Sequence, residues 1–146
     1  MRIALVGLLL AGASLPAAPP ALAAQASAAR CGGALRPEAD AESFAAAGRD
    51  AGALARETGT NFVAAASSLC GSGALRAAHL APFTRLVVRN AEGNTDPVVY
   101  DDAEQGPDSL ILEYAFIGAA PSAAAIGNAI RCWREPTRAG CDQAVD

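Results

Sequence analysis

The sequence predicts an α+β protein of two layers: an N-terminal helical region, a three-stranded antiparallel meander and a C-terminal helix. Three observations lead there. Apolar residues between 44 and 69 recur at three- and four-residue steps, the period of a helix face. β-branched and alternating runs follow between residues 84 and 117, with connections too short for parallel crossovers. A last amphipathic stretch runs from 122 to 134.

Before the first of these elements lies an address. Met1-Arg2 is a short positive start, residues 3–15 (IALVGLLLAGASL) are uncharged and apolar, and residues 16–23 (PAAPPALA) break the helix and end in small side chains. That order is the pattern of a secretory signal peptide over 1–23. Ala21-Leu22-Ala23 is the preferred cleavage signal and Ala24-Gln25-Ala26 the second choice. The apolar run of 13 residues is shorter than the ~20 needed to span a bilayer, so no membrane anchor is expected after cleavage. Cys31 follows Arg30, the wrong context for lipid attachment.

The chain has no Lys, and Ala, Gly and Arg abound, the imprint of a GC-rich bacterial genome. The expected location is therefore the periplasm of a Gram-negative cell, or the exterior. The mature chain would carry 10 Arg against 15 acids, a net charge of −5. An acidic surface excludes nucleic acid as a partner, because phosphate backbones need a basic face.

Residues 24–36 (AQASAARCGGALR) are small and polar and read as a flexible leader held by Cys31. Residues 37–146 read as a single α+β domain, long enough to bury a core. Pro37 with Glu38, Asp40 and Glu42 predicts a helix start, with proline early and acids at the positive end of the dipole. Phe44, Ala47, Ala51, Leu54, Thr58, Phe62, Ala65 and Leu69 form its stripe. Thr58-Gly59-Thr60 is a candidate break, and Gly71 and Gly73 close the helix.

The first strand is TRLVVR at 84–89, with Leu86 and Val88 on one face and Arg85, Val87 and Arg89 on the other. Pro97 opens the second, since a residue without an N–H belongs at a strand start or edge. The third, LILEYAFI at 110–117, sets Leu110, Leu112, Tyr114 and Phe116 against Ile111, Glu113, Ala115 and Ile117. Ser122 caps the last helix, whose stripe is Ile126, Ala129, Ile130 and Trp133.

Cys31, Cys70, Cys132 and Cys141 in an exported domain predict two disulfides. Cys132–Cys141 is favoured because the segment WREPTRAG between them can turn back, which leaves Cys31–Cys70; the rival pairing is Cys70–Cys132 with Cys31–Cys141. There is no C-x-x-C for thiol exchange, and one His with these cysteine spacings does not suit zinc.

The stretch YDDAEQGPDS at 100–109 carries four carboxylates, and as an EF-hand loop it fails in both registers. Starting at Asp101 puts Ala103 and Leu112 at ligand positions, and starting at Asp102 puts Pro107 where glycine is required. No metal and no cofactor are expected. Gly71-Ser72-Gly73 is not a nucleophile elbow, and no other catalytic motif or family signature is present.

The function class that remains is a non-catalytic binding or accessory protein whose partner is a protein or an envelope component. Its expected contact residues are Arg85, Arg89 and Glu113 on the polar sheet face, with Asp101 and Asp102 in the adjoining acidic stretch. The alternatives are a small hydrolase using Asp101 or Asp102 with His79, and an oligomeric structural factor of the envelope.

Overall fold

The computed structural model describes residues 31–45 and 47–141. The expected signal peptide at 1–23, both cleavage choices and residues 24–30 of the leader lie outside the described residues. Among the described residues, no helix is long and apolar enough to cross a membrane.

The architecture is mixed α+β, a four-stranded sheet with its two long helices on one face. In chain order the elements are β1 (Arg36–Ala39), α1 (Ala41–Phe44), α2 (Ala51–Gly71), α3 (Ala77–Leu80), β2 (Arg85–Asn90), β3 (Val98–Asp101), β4 (Ser109–Tyr114) and α4 (Ala123–Arg134). The strand order across the sheet is β1-β2-β4-β3. β1 runs parallel to β2 and β2 parallel to β4, and only β3 and β4 pair antiparallel.

This corrects the three-stranded antiparallel meander. β2 and β3 are consecutive but do not pair, because β4 lies between them. The physical reason is burial. Leu86, Val87 and Val88 of β2, and residues 109–112 of β4, are buried on both faces of the sheet. Strands buried on both faces belong in the middle and favour each other. β3, with Asp101 exposed and Pro97 just ahead of it, is suited to an edge.

The second correction is at residues 36–40, which form a strand and its exit where a helix start was expected. Arg36 N donates to Thr84 O and Asp40 N to Val88 O, both at 2.9 Å. The alternation of donors leaves Pro37, which has no N–H, facing the free edge of β1. Helix starts come later: Asp40 accepts from Ser43 N to cap α1, and Asp50 accepts from Ala53 N at 2.9 Å to cap α2. α2 then runs unbroken through Thr58-Gly59-Thr60 to Gly71. Gly59 is kept there by packing, since its face is pressed against the ring of Pro37. Thr60 Oγ1 donates to Arg56 O within the helix and does not start a new one.

The core lies between the sheet and the long helices. Phe62 and Leu69 of α2, Ile126 and Ile130 of α4, and Leu86, Val88, Leu110 and Leu112 of the central strands are all buried in it. β4 ends at Tyr114, earlier than the run to 117 suggests. Asn90 Oδ1 accepts from Phe116 N, the Phe116 ring turns into the core beside Phe44, and Ile117 is left 76% exposed. α4 keeps its expected start, with Ser122 Oγ accepting from Ala125 N.

Both disulfides form in the favoured pairing, Cys31–Cys70 and Cys132–Cys141, with Cα separations of 6.4 and 5.2 Å. Cys31, Gly32 and Leu35 are buried while Gly33 and Ala34 are exposed, so the end of the expected leader is anchored on the core, and β1 opens at Arg36.

Candidate functional site

The face opposite the long helices is built from alternate residues of all four strands. Register puts Arg36, Arg85 and Ser109 in one row and Glu38, Val87, Ile111 and Tyr100 in the next. Arg89, Glu113 and Val98 form the third row, with Asp40 just beyond the end of β1. Three guanidiniums (Arg36, Arg85, Arg89) and three carboxylates (Glu38, Asp40, Glu113) stand there, and the ion pairs join Arg85 to Glu38 and Arg89 to Asp40 and Glu113. The face is electrically balanced although the chain is acidic.

Arg89 is its hub. Its Nε donates to Asp40 Oδ2 at 2.9 Å, and its Nη1 donates at 3.1 Å to both Glu113 Oε1 and Tyr100 Oη. Tyr100 Oη in turn donates to Glu113 Oε1 at 2.6 Å, and Asn94 Nδ2 reaches Glu113 Oε2 at 3.4 Å. Because β4 separates β2 from β3, the Arg89–Tyr100 bond arches over the middle of the sheet. Val87 and Ile111 are buried on this side of the sheet, outside the main core. A second pair sits at the other end, where Arg85 Nη2 and Nε donate to Glu38 Oε2 at 2.8 and 3.0 Å and Nη1 donates to Ser109 Oγ.

Burial first, and then the hydrogen bond to the Glu113 carboxylate, push the Tyr100 phenol up to about 12, so it stays protonated and donating. Burial alone would lower the Arg89 guanidinium, but its bonds to Asp40 and Glu113 outweigh that and raise it. The bond to Glu38 raises Arg85.

Of the residues expected from sequence, Arg85, Arg89 and Glu113 share this face. Asp101 and Asp102 do not join them. Asp101 Oδ1 accepts from Trp133 Nε1 at 2.8 Å on the helix side, one residue out of phase with Tyr100. Asp102 Oδ1 accepts from Glu104 N within its own loop. Asp108 accepts from Thr84 Oγ1 at 2.7 Å, a bond that holds its carboxyl below the usual range. Among the described residues, no three His, Cys, Asp or Glu side chains gather as a metal site would need.

His79 belongs to a different neighbourhood. Burial lowers its imidazole, and the nearby guanidiniums of Arg134 and Arg76 lower it further. The charged groups acting on it are cations, which do not orient an imidazole as a catalytic carboxylate does. Trp133, at the end of α4, packs edge-on against Phe83 with ring centroids 5.8 Å apart, and Arg134 lies 5.0 Å from the centroid of its ring.

Sequence reasoning missed Glu38, Asp40 and Tyr100. Their signal is present in the alternation of P-E-A-D at 37–40 and V-V-Y-D at 98–101, but in the first a proline followed by acids fits a helix start equally well. No family model matches this chain, and no curated protein or solved structure is significantly similar to it.

Proposed function

We propose that this chain is an exported, disulfide-stapled bacterial binding module without catalytic chemistry, which engages a protein or envelope component through the sheet face opposite its helices. One observation carries the reading: helices cover one face of the sheet, and the other presents a balanced set of charges in which Arg85 and Arg89 are already paired with Glu38, Asp40 and Glu113. Side chains pinned in advance lose little entropy on docking, and a partner is recognised by geometry more than by net charge. Arg85 and Glu38 are the accessible pair, with side chains 39% and 44% exposed. Arg89 and Glu113 are half-buried and hold the array in shape. The export part of the reading rests on the N-terminal pattern of residues 1–23 and on the two disulfides, which form in oxidising compartments.

The test is retention from periplasmic extract on immobilised mature protein. A specific partner is held by the wild type, is lost with Arg85→Ala combined with Glu38→Ala, and is kept by Arg56→Ala on the exposed side of α2. A partner retained equally by the wild type and both variants would remove the sheet face from the proposal.

A further inference from the structure

The C-terminal disulfide has a chemical consequence separate from the sheet face. It closes residues 132–141 into a loop against the last turns of α4, and the loop is ordered by its own backbone bonds. Arg138 N donates to Glu135 O at 3.0 Å and Cys141 N donates to Arg138 O at 3.1 Å. The closure brings Arg138 to the same hollow as Arg131 and Asn128 of α4. This hollow is about 260 Å³, half open to solvent, and is completed by Ala139, Gly140 and the disulfide. Two arginines from separate segments and an asparagine thus line one small cavity.

Neither guanidinium has a carboxylate partner among the described residues, where every ion pair belongs to Arg85 or Arg89. Arg131 goes further. Its Nε is buried and has no hydrogen-bond partner among the described residues, although buried donors are normally satisfied. Two forked cations and an amide offer the planar donor geometry that carboxylate and phosphate oxygens accept. Size restricts the ligand as well, because the cavity falls just below the roughly 300–1,000 Å³ typical of drug-sized ligands. Asp96 sets a boundary. It lines an adjoining hollow of about 220 Å³ that shares Asn128, Cys132 and Gly140, so negative charge is favoured at the arginine end only.

We propose that Arg131, Arg138 and Asn128 form a binding site for a small oxyanion, a carboxylate or phosphate group, held in shape by the Cys132–Cys141 bridge. The chain's own Asp142 and Asp146 follow directly and carry the same chemistry, so the experiment has to separate them from an external ligand.

The full-length mature protein, labelled with ¹⁵N, is titrated with inorganic phosphate and separately with acetate, at constant ionic strength maintained with chloride. The arginine Nε–Hε signals of residues 131 and 138 are followed. The expected result is saturable movement of both signals with at least one of the anions, weakened about tenfold or more in the exposed-site variant Arg138→Gln. The Asp142→Asn/Asp146→Asn double variant is expected to bind as the wild type does. Three results overturn the proposal: movement that never saturates, which marks an adventitious ion only; saturation that Arg138→Gln leaves intact; and saturation seen only in the double Asn variant, which gives the site to the tail's own acids.

Discussion

Gly59 and Pro37 touch so closely that a Cβ built on the glycine would sit 2.7 Å from the Cβ and Cγ of the proline ring. The contact is between α2 and β1, and it sets how near the long helix lies to the edge of the sheet. Gly59→Ala is therefore expected to destabilise by about 1–2 kcal/mol, the overpacking cost exceeding the gain in helix propensity. Gly71→Ala, where a Cβ meets nothing within 4 Å, is the control and should stay within about 0.5 kcal/mol of wild type. Urea unfolding of both, with Pro37→Ala added to the first, checks the assignment. Removing the ring should recover part of the loss, and no recovery would place the strain elsewhere.

Tyr100 provides a pH signature for the polar face. Its folded value of about 12 lies above the ordinary 10.0, so its contribution to stability is full below pH 10 and is lost as pH rises through 12. An ultraviolet phenolate titration should show one tyrosine ionising near 12, and Tyr100→Phe should delete that step. A titration completed near pH 10 would mean that the Tyr100–Glu113 bond is not maintained in solution.

His79 behaves in the opposite sense. Its folded value lies below 6.5, so the stability it contributes is present above pH 6.5 and is lost as pH falls through the folded value. As the sole histidine, it gives a single imidazole titration by proton NMR. The midpoint should fall below 6.5 in the native protein and return towards 6.5 in urea. A native midpoint above 6.5 would require a carboxylate neighbour and reopen the hydrolase reading.

The bridges differ in expected worth because they close loops of different length. Cys31–Cys70 spans 39 residues and Cys132–Cys141 spans 9. On the chain-entropy model they stabilise by about 4 and about 2.5 kcal/mol. Paired Cys→Ala variants, unfolded in urea without reductant, should rank in that order. Non-reducing peptide mapping should recover both linked pairs, and a peptide joining Cys70 to Cys132 would contradict the pairing.

Much of this protein can be read along the chain where the deciding physics is local. Ser122 capping Ala125, the apolar stripe of α4, and the short segment WREPTRAG that turns back between Cys132 and Cys141 all involve neighbours in sequence. So does the phase of Arg85 and Arg89, because alternation along a strand puts both on the face away from Leu86 and Val88. Tertiary structure alone decided which strands pair. The apolar runs of β2 and β4 identify two strands buried on both sides, yet nothing local says that each is the other's neighbour, with β3 displaced to the edge. It also decided the fate of Pro37-Glu38-Ala39-Asp40, where helix-start chemistry is overridden by a parallel ladder to β2 that only the crossover through α2 brings within reach. Glu38 and Asp40 thereby become the partners of Arg85 and Arg89, across 47 and 49 residues of sequence. Hydrogen bonds between strands depend on proximity in space, and that proximity is created by packing and not by the residues that make the bonds.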